Sequence, residues 1–76
     1  MQLKYDYSYL NSLIIKYFGK RYCFAKAMGI SEHSLSYKMN NRQNWKQPEI
    51  TKACMLLHIP DNDIGLYFFT RIVQDH

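Results

Sequence analysis

The sequence lacks the features typical of disulfide-rich, metal-binding and membrane-spanning proteins. It has two cysteines, Cys23 and Cys54, and neither lies in a C-x-x-C pair or at a His-paired spacing, so we expect no metal site. No stretch approaches the roughly 20 apolar residues that a membrane span needs. The chain does not open with a basic segment followed by an apolar run. These absences predict a cytoplasmic protein with reduced thiols and no membrane partner.

The sequence also lacks a catalytic constellation. His58 and His76 have no carboxylate or serine partner at a recognisable spacing, which is the minimum for acid–base or nucleophilic catalysis. We therefore predict no enzyme activity, no catalytic residue, no cofactor and no small-molecule substrate. The 76 residues have room for one small domain, spanning residues 1–76.

Negative charge is scarce in the middle of the chain. The whole chain has a formal net charge of +4. Between Lys16 and Lys52 there are two acidic residues, Glu32 and Glu49, against eight lysines and arginines. Such a concentration of positive charge is the electrostatic footprint expected of a protein that binds phosphate. The alternative is a solvated basic face that binds no partner.

Residues 21–41 read as two short helices joined by a tight turn. Ala25 precedes Gly29 by four residues, at a position where a larger side chain would push the two helices apart. Gly29 follows the last periodic apolar residue of the first helix, where a left-handed conformation costs glycine little. Ile30 can fill the space between the helices. Ser31 offers a hydroxyl to cap the second helix. The stretch therefore predicts a helix-turn-helix.

The second helix of this motif, residues 32–39, has a narrow apolar stripe. Leu35 and Met39 lie four residues apart and predict the buried side. A short helix with this pattern and a hydrogen-bonding outer face is what a major-groove reader requires. The residues predicted to point outward are Glu32, His33, Ser36 and Tyr37.

The rest of the chain is also predicted to be helical, so the fold class is all-α: a compact bundle of four to five short helices. Asp6 can cap a first helix that Gly19 ends, and Pro48 suits the first turn of a helix that ends near His58. The remaining predicted helices span residues 21–28, 32–39 and about 61–68. Residues 61–76 are expected to form a short helix or an extended tail.

Four segments together resemble the Cro/CI-type helix-turn-helix repressors of phages, and in particular small lysogeny-module proteins of phages of Gram-positive hosts. The segments are Tyr5–Ser8, Phe24–Ser31, Trp45–Ile50 and Tyr67–Phe69. The resemblance implies a lambda repressor-like DNA-binding domain in the cytoplasm of a bacterial host. Residues 21–28 would be its positioning helix and residues 31–39 its recognition helix.

The resemblance also implies where DNA would be contacted. The implied base contacts are Glu32, His33 and Tyr37. The expected backbone contacts, which include most of the basic cluster, are Lys20, Arg21, Ser36, Lys38, Asn41, Arg42 and Lys46. Four of them have a plainer alternative: Glu32 can serve the helix dipole, His33 can simply be exposed, and Lys20 and Arg21 can be a solvated pair. Trp45 is expected to plug the core under its loop.

Two functions remain open at this point. The main hypothesis is a Cro-like regulator, a possible homodimer, that binds double-stranded operator DNA and represses by excluding RNA polymerase. The alternative is an anti-repressor or modulator that binds a co-encoded CI-type repressor by protein–protein contact. Its interface would be the outer face of residues 32–39 or the aromatic tail at Tyr67, Phe68 and Phe69, because aromatic residues dominate protein interfaces.

Overall fold

Five α-helices and one 3₁₀ turn follow one another along residues 4–72, the part of the chain that the computed structural model describes. They are α1 (Ser8–Phe18), α2 (Arg21–Met28), α3 (Glu32–Met39), α4 (Gln47–Leu57), the 3₁₀ turn (Asp61–Asp63) and α5 (Ile64–Phe68). The predicted all-α bundle is confirmed. The expectations for residues 73–76, including His76, lie outside the described residues, and the single domain over residues 1–76 stays a prediction.

The predicted signals around the turn between α2 and α3 are present, and Asp6 bonds the start of α1 from one position before the N-cap residue, which is Tyr7. The Asp6 carboxylate accepts the Ser8 backbone N–H at 2.9 Å and the Ser8 hydroxyl, and these two bonds hold the pKa of Asp6 below its ordinary value. The Ser31 hydroxyl oxygen accepts the Ser34 backbone N–H at 3.0 Å. Ala25 is buried. The helix-turn-helix of α2 and α3 therefore forms as the sequence predicts.

The helices α2, α3 and α4 end in the same way, each with a left-handed residue just past its last turn. Those residues are Gly29 (φ 78°), Asn41 (φ 63°) and His58 (φ 58°). In each case the N–H of the next residue bonds the carbonyl oxygen five residues earlier, as in a Schellman motif. The bonds run from Ile30 to Ala25 (3.0 Å), from Arg42 to Tyr37 (2.8 Å) and from Ile59 to Cys54 (2.9 Å).

The core lies where α1, α2, α4 and α5 meet, and α3 contributes Leu35 and Met39 to it. Its largest fully buried side chains are Phe24, Phe68, Leu10, Ile14, Leu35 and Leu57, each worth about 1.5–3 kcal/mol relative to an exposed side chain. Helix α2 packs against α1, α3 and α4. The stripe of α3 predicted from Leu35 and Met39 is buried. Helix α3 lies at the side of the bundle, against α2, and its outer face is left uncovered.

The two ends of the described chain pair with each other. Tyr5 and Arg71 form an isolated antiparallel bridge, with backbone hydrogen bonds from Asp6 to Thr70 (2.7 Å) and from Ile72 to Lys4 (3.0 Å). The segment after α5 is therefore extended, while the short helix predicted over about residues 61–68 is present as the 3₁₀ turn and α5.

The aromatic tail predicted as an alternative interface is mostly occupied by packing. Phe68 is fully buried, so it cannot meet a partner, and Tyr67 is half-buried. Phe69 is exposed and lies edge-on to the Tyr5 ring, with centroids 6.0 Å apart. None of the helices within residues 4–72 combines the length and the apolar character that crossing a membrane requires.

Candidate functional site

The outer side of the helix-turn-helix carries a shallow depression between the starts of α2 and α3. It is lined by Arg21, Glu32, His33 and Ser36. Glu32 and His33 are exposed, and the other two are half-buried. The fold thus brings four of the predicted site residues together around one depression.

A stack of three side chains continues from this depression along α3. The rings of His33 and Tyr37 lie with their centroids 4.4 Å apart, since residues four apart share one helix face. The Arg42 guanidinium carbon lies 5.9 Å from the centroid of the Tyr37 ring, within the range of a cation–π contact. The stack is therefore a preformed aromatic and cationic surface.

Lys38 does not belong to this surface, which corrects its prediction as a DNA-backbone contact. It is 4% exposed. Its ammonium nitrogen lies 3.0 Å from Glu49 Oε1 and donates to the Asn44 carbonyl oxygen at 3.3 Å. A buried lysine requires such partners, because an unpaired charge inside a protein is costly. With Lys38 held in this way, α3 has no exposed lysine or arginine among its residues 32–39.

The Glu49 carboxylate is contacted by the Lys38 ammonium and by the backbone N–H of Lys46. Partial burial by itself would raise the pKa of Glu49. The Lys46 backbone N–H, which donates to the carboxylate at 2.8 Å, and the Lys38 ammonium outweigh that effect and lower the pKa of Glu49. The carboxylate thereby ties the start of α4 to α3.

Asn41 is likewise engaged within the protein, which corrects its prediction as a DNA-backbone contact. Its side-chain oxygen accepts the Tyr5 backbone N–H at 2.8 Å, and its side-chain nitrogen donates to the Tyr5 carbonyl oxygen at 2.9 Å. Both hydrogen-bonding groups of the Tyr5 backbone are therefore satisfied by one amide. Asn41 connects the N-terminal segment to the end of α3.

The other residues predicted to contact the DNA backbone differ in their exposure and in whether their side chains are hydrogen-bonded within the protein. Arg21 donates from Nε to the Asn11 side-chain oxygen at 2.8 Å, while Ser36 accepts from the Asn40 side chain at 3.4 Å. The exposed predicted contacts are Lys20, Arg42 and Lys46. The positive surface near α3 is thus smaller than the sequence suggests.

Two of these arrangements had a signal in the sequence that the site prediction missed. Leu35, Lys38 and Met39 are spaced as i, i+3 and i+4, which places Lys38 on the buried stripe of α3. Asn41 is a residue type that tolerates the left-handed conformation after a helix.

Trp45 packs under its loop as predicted, with its ring centroid 5.2 Å from that of Phe68 and 6.4 Å from that of Tyr7.

The described residues offer no metal site. No group of three or more His, Cys, Asp or Glu side chains within residues 4–72 could hold a metal ion. Cys23 is exposed and Cys54 is buried. Burial, and then the negative charge of Asp61, raise the pKa of the Cys54 thiol, which makes that thiol a weak nucleophile.

Comparison with known proteins overturns the Cro/CI assignment. Residues 3–71 match the family model described as "Protein of unknown function (DUF739)". The fold is similar to the solution structure of the modulator of repression (MOR) of the temperate bacteriophage TP901-1 from Lactococcus lactis. The TM-score is 0.77 at 46% sequence identity, over 86% of this chain and 88% of that one. The search of curated proteins gives no match.

These findings correct two expectations drawn from the sequence. The resemblance to the Cro/CI-type repressor family was wrong as a family assignment, because the matching family and the similar structure are different ones. The Cro-like repressor function was also wrong as the main hypothesis, since the similar protein is a modulator of repression. The family match covers most of the residues, and the chain belongs to the DUF739 family.

Proposed function

We propose that this chain modulates repression by binding a repressor protein, and that it acts by this contact without catalysis. The observation that carries the proposal is its similarity to the phage modulator of repression, at 46% identity and a TM-score of 0.77 over most of both chains. Identity at this level over nearly the whole length supports a shared role as well as a shared fold.

The surface of α3 supports a protein partner over DNA. Of the two charged residues on α3, Glu32 is exposed and Lys38 is buried against Glu49. The exposed formal charge of α3 itself is therefore the single negative charge of Glu32, which phosphate would repel, while the flanking Arg42 is positive. The neighbouring His33–Tyr37–Arg42 stack has the aromatic and arginine composition that is enriched at protein interfaces.

Charge complementarity suggests which face of the repressor is bound. A DNA-reading face must carry lysines and arginines to contact phosphates, and Glu32 can pair with such a cation. A repressor whose reading face is covered in this way cannot contact its operator. The proposed mechanism is therefore steric occlusion of the repressor's DNA-binding surface by the outer face of α3.

A charge-reversal experiment tests the proposed interface. We expect Glu32→Lys to weaken binding to the co-encoded repressor about tenfold or more, since like charges across an interface repel. Asp61→Lys is the matched control, because it makes the same change in net charge at an exposed residue of the 3₁₀ turn. Isothermal titration gives both affinities, and sedimentation of the chain alone tests the homodimer that the sequence left possible.

Equal effects of the two variants would overturn the assignment of the interface to α3. If Glu32→Lys instead bound the repressor as tightly as the wild-type chain, the charge-complementary contact would be wrong. Circular dichroism of both variants checks that the helical fold is retained, so that a loss of binding is not a loss of folding.

A further inference from the structure

We infer that Asn41 is a positioning residue, which holds Arg42 on the Tyr37 ring and thereby presets the partner-binding surface of α3. The inference rests on the proposed function and adds to it a residue that lies behind the interface. Neither the amide of Asn41 nor its backbone touches the partner in this account. Its effect is transmitted through Arg42.

The first support is the way in which α3 ends. Asn41 is left-handed, with φ 63°, and the Arg42 N–H bonds the Tyr37 carbonyl oxygen at 2.8 Å. In a Schellman motif the residue after the left-handed one contacts the residue five positions earlier, usually through apolar side chains. Here the contact is the guanidinium of Arg42 over the ring of Tyr37, at 5.9 Å. The left-handed turn at Asn41 therefore builds the cation–π contact.

The second support is the double hydrogen bond that fixes this turn. Asparagine adopts the left-handed conformation more readily than most residues but less readily than glycine, and Asn41 is held in it by two bonds to the Tyr5 backbone, at 2.8 and 2.9 Å. The opposite edge of Tyr5 pairs with residues 70–72. Asn41 thus joins the N-terminal segment, the segment after α5 and the end of α3.

This fixation matters because Arg42 is otherwise an exposed, flexible side chain. An arginine loses rotamer freedom when it is immobilised at an interface, and this loss opposes binding. When the stack already holds the guanidinium, much of that loss has occurred before the partner arrives. Removing the support should therefore weaken binding without removing any contact atom.

The test compares substitutions at two neighbouring asparagines. Asn41→Gly allows the left-handed backbone but removes both bonds to Tyr5. Asn40→Gly is the control, because Asn40 is exposed and its side chain makes only a 3.4 Å bond to Ser36. Nuclear magnetic resonance reports the stack directly, since the Tyr37 ring shifts the signals of Arg42 side-chain protons that lie over it.

We expect Asn41→Gly to move the Arg42 side-chain signals toward those of Tyr37→Leu, in which the ring is absent. Its affinity for the co-encoded repressor should fall about two- to tenfold, which is the range for ordering one long side chain. Asn40→Gly should change neither quantity. In an Arg42→Ala background, Asn41→Gly should cause no further loss of affinity, because the residue through which it acts is gone.

Unchanged Arg42 signals and wild-type affinity in Asn41→Gly would overturn the inference. The inference would also be overturned if Asn41→Gly lowered the affinity as much in the Arg42→Ala background as in the wild-type chain, because Asn41 would then act by another route. Failure of the proposed function has a different signature, which is an absence of repressor binding by the wild-type chain. In that case the Arg42 signals alone decide whether Asn41 positions Arg42.

Discussion

At the residue scale, the burial of Lys38 removes one positive charge from the surface that the sequence predicts to be basic. By composition Lys38 adds to a positive cluster that favours phosphate binding. In the fold it lies 3.0 Å from Glu49 and is nearly inaccessible to solvent. A charge count along the sequence cannot make this distinction, because the partner of Lys38 lies on another helix. The surface that remains around α3 is mixed in charge, which fits a protein partner better than DNA.

The ion pair leads to a prediction for stability. Glu49→Gln should lower the free energy of unfolding by about 1–3 kcal/mol, because it leaves the Lys38 ammonium buried without its countercharge. Lys38→Met added to that variant should recover part of the loss, since no charge then remains buried. Urea denaturation of the three proteins measures both effects. A Glu49→Gln variant as stable as the wild type would show that the pair is not required.

The same pair predicts a dependence of stability on pH. The pKa of Glu49 is lower in the folded chain than its ordinary value of 4.5. Its contribution is therefore complete above that value and disappears as the pH falls through the folded pKa. The difference in unfolding free energy between the wild type and Glu49→Gln should accordingly shrink below about pH 4.5. A difference that grows on acidification would contradict the assignment.

Tyr37 should be the residue of the stack whose removal weakens partner binding most. Buried aromatic anchors often cost about 2 kcal/mol or more when truncated at an interface, so Tyr37→Ala should weaken repressor binding about thirtyfold. Tyr22→Ala is the matched control: Tyr22 is an exposed tyrosine of α2 with a lysine, Lys26, 6.0 Å from its ring centroid. Isothermal titration compares the affinities of the two variants for the repressor. Similar losses from both would point to a general effect on the bundle.

At the scale of elements, most of the fold could be predicted because the signals for helix ends are local. The bounds of α2 and α3 agree with the helices predicted over about residues 21–28 and 32–39, since Gly29 and Ser31 mark where one helix ends and the next begins. The left-handed turns at Asn41 and His58 were missed. Asparagine and histidine indicate a left-handed helix end less strongly than glycine does. The conformation of Asn41 is also held by hydrogen bonds to Tyr5, which lies 36 positions away in the chain.

Substitutions at Gly29 test the turn between α2 and α3 through its stability. The φ of Gly29 is 78°, and a Cβ atom added there would have the Lys52 ammonium nitrogen at 3.9 Å, which is ordinary contact. The cost of Gly29→Val is therefore backbone strain, expected to exceed about 1 kcal/mol. Gly29→Asn should cost less, because asparagine tolerates the left-handed region. Thermal unfolding measures both. Equal melting temperatures for the two variants would contradict the strain argument.

At the scale of the whole molecule, the error in the sequence-based function has a physical origin. The two-helix motif and the turn were identified correctly, yet one fold can serve several partners, and the choice is made by the side chains on its outer face. In the proposed function that choice depends on Glu32, which is exposed, and on Lys38, which is buried. The burial of Lys38 follows from packing between helices. The similarity to a modulator of repression agrees with that surface.

The central claim, that the chain acts on a repressor protein, is tested most directly by titrating it into a complex of the co-encoded repressor with labelled operator DNA. Fluorescence anisotropy follows the labelled duplex, with the duplex alone as a control at the same salt concentration. We expect the chain to lower the amount of DNA-bound repressor and to show no preference for the operator by itself. Sequence-specific binding of the chain to the operator, with repressor occupancy unchanged, would contradict the central claim.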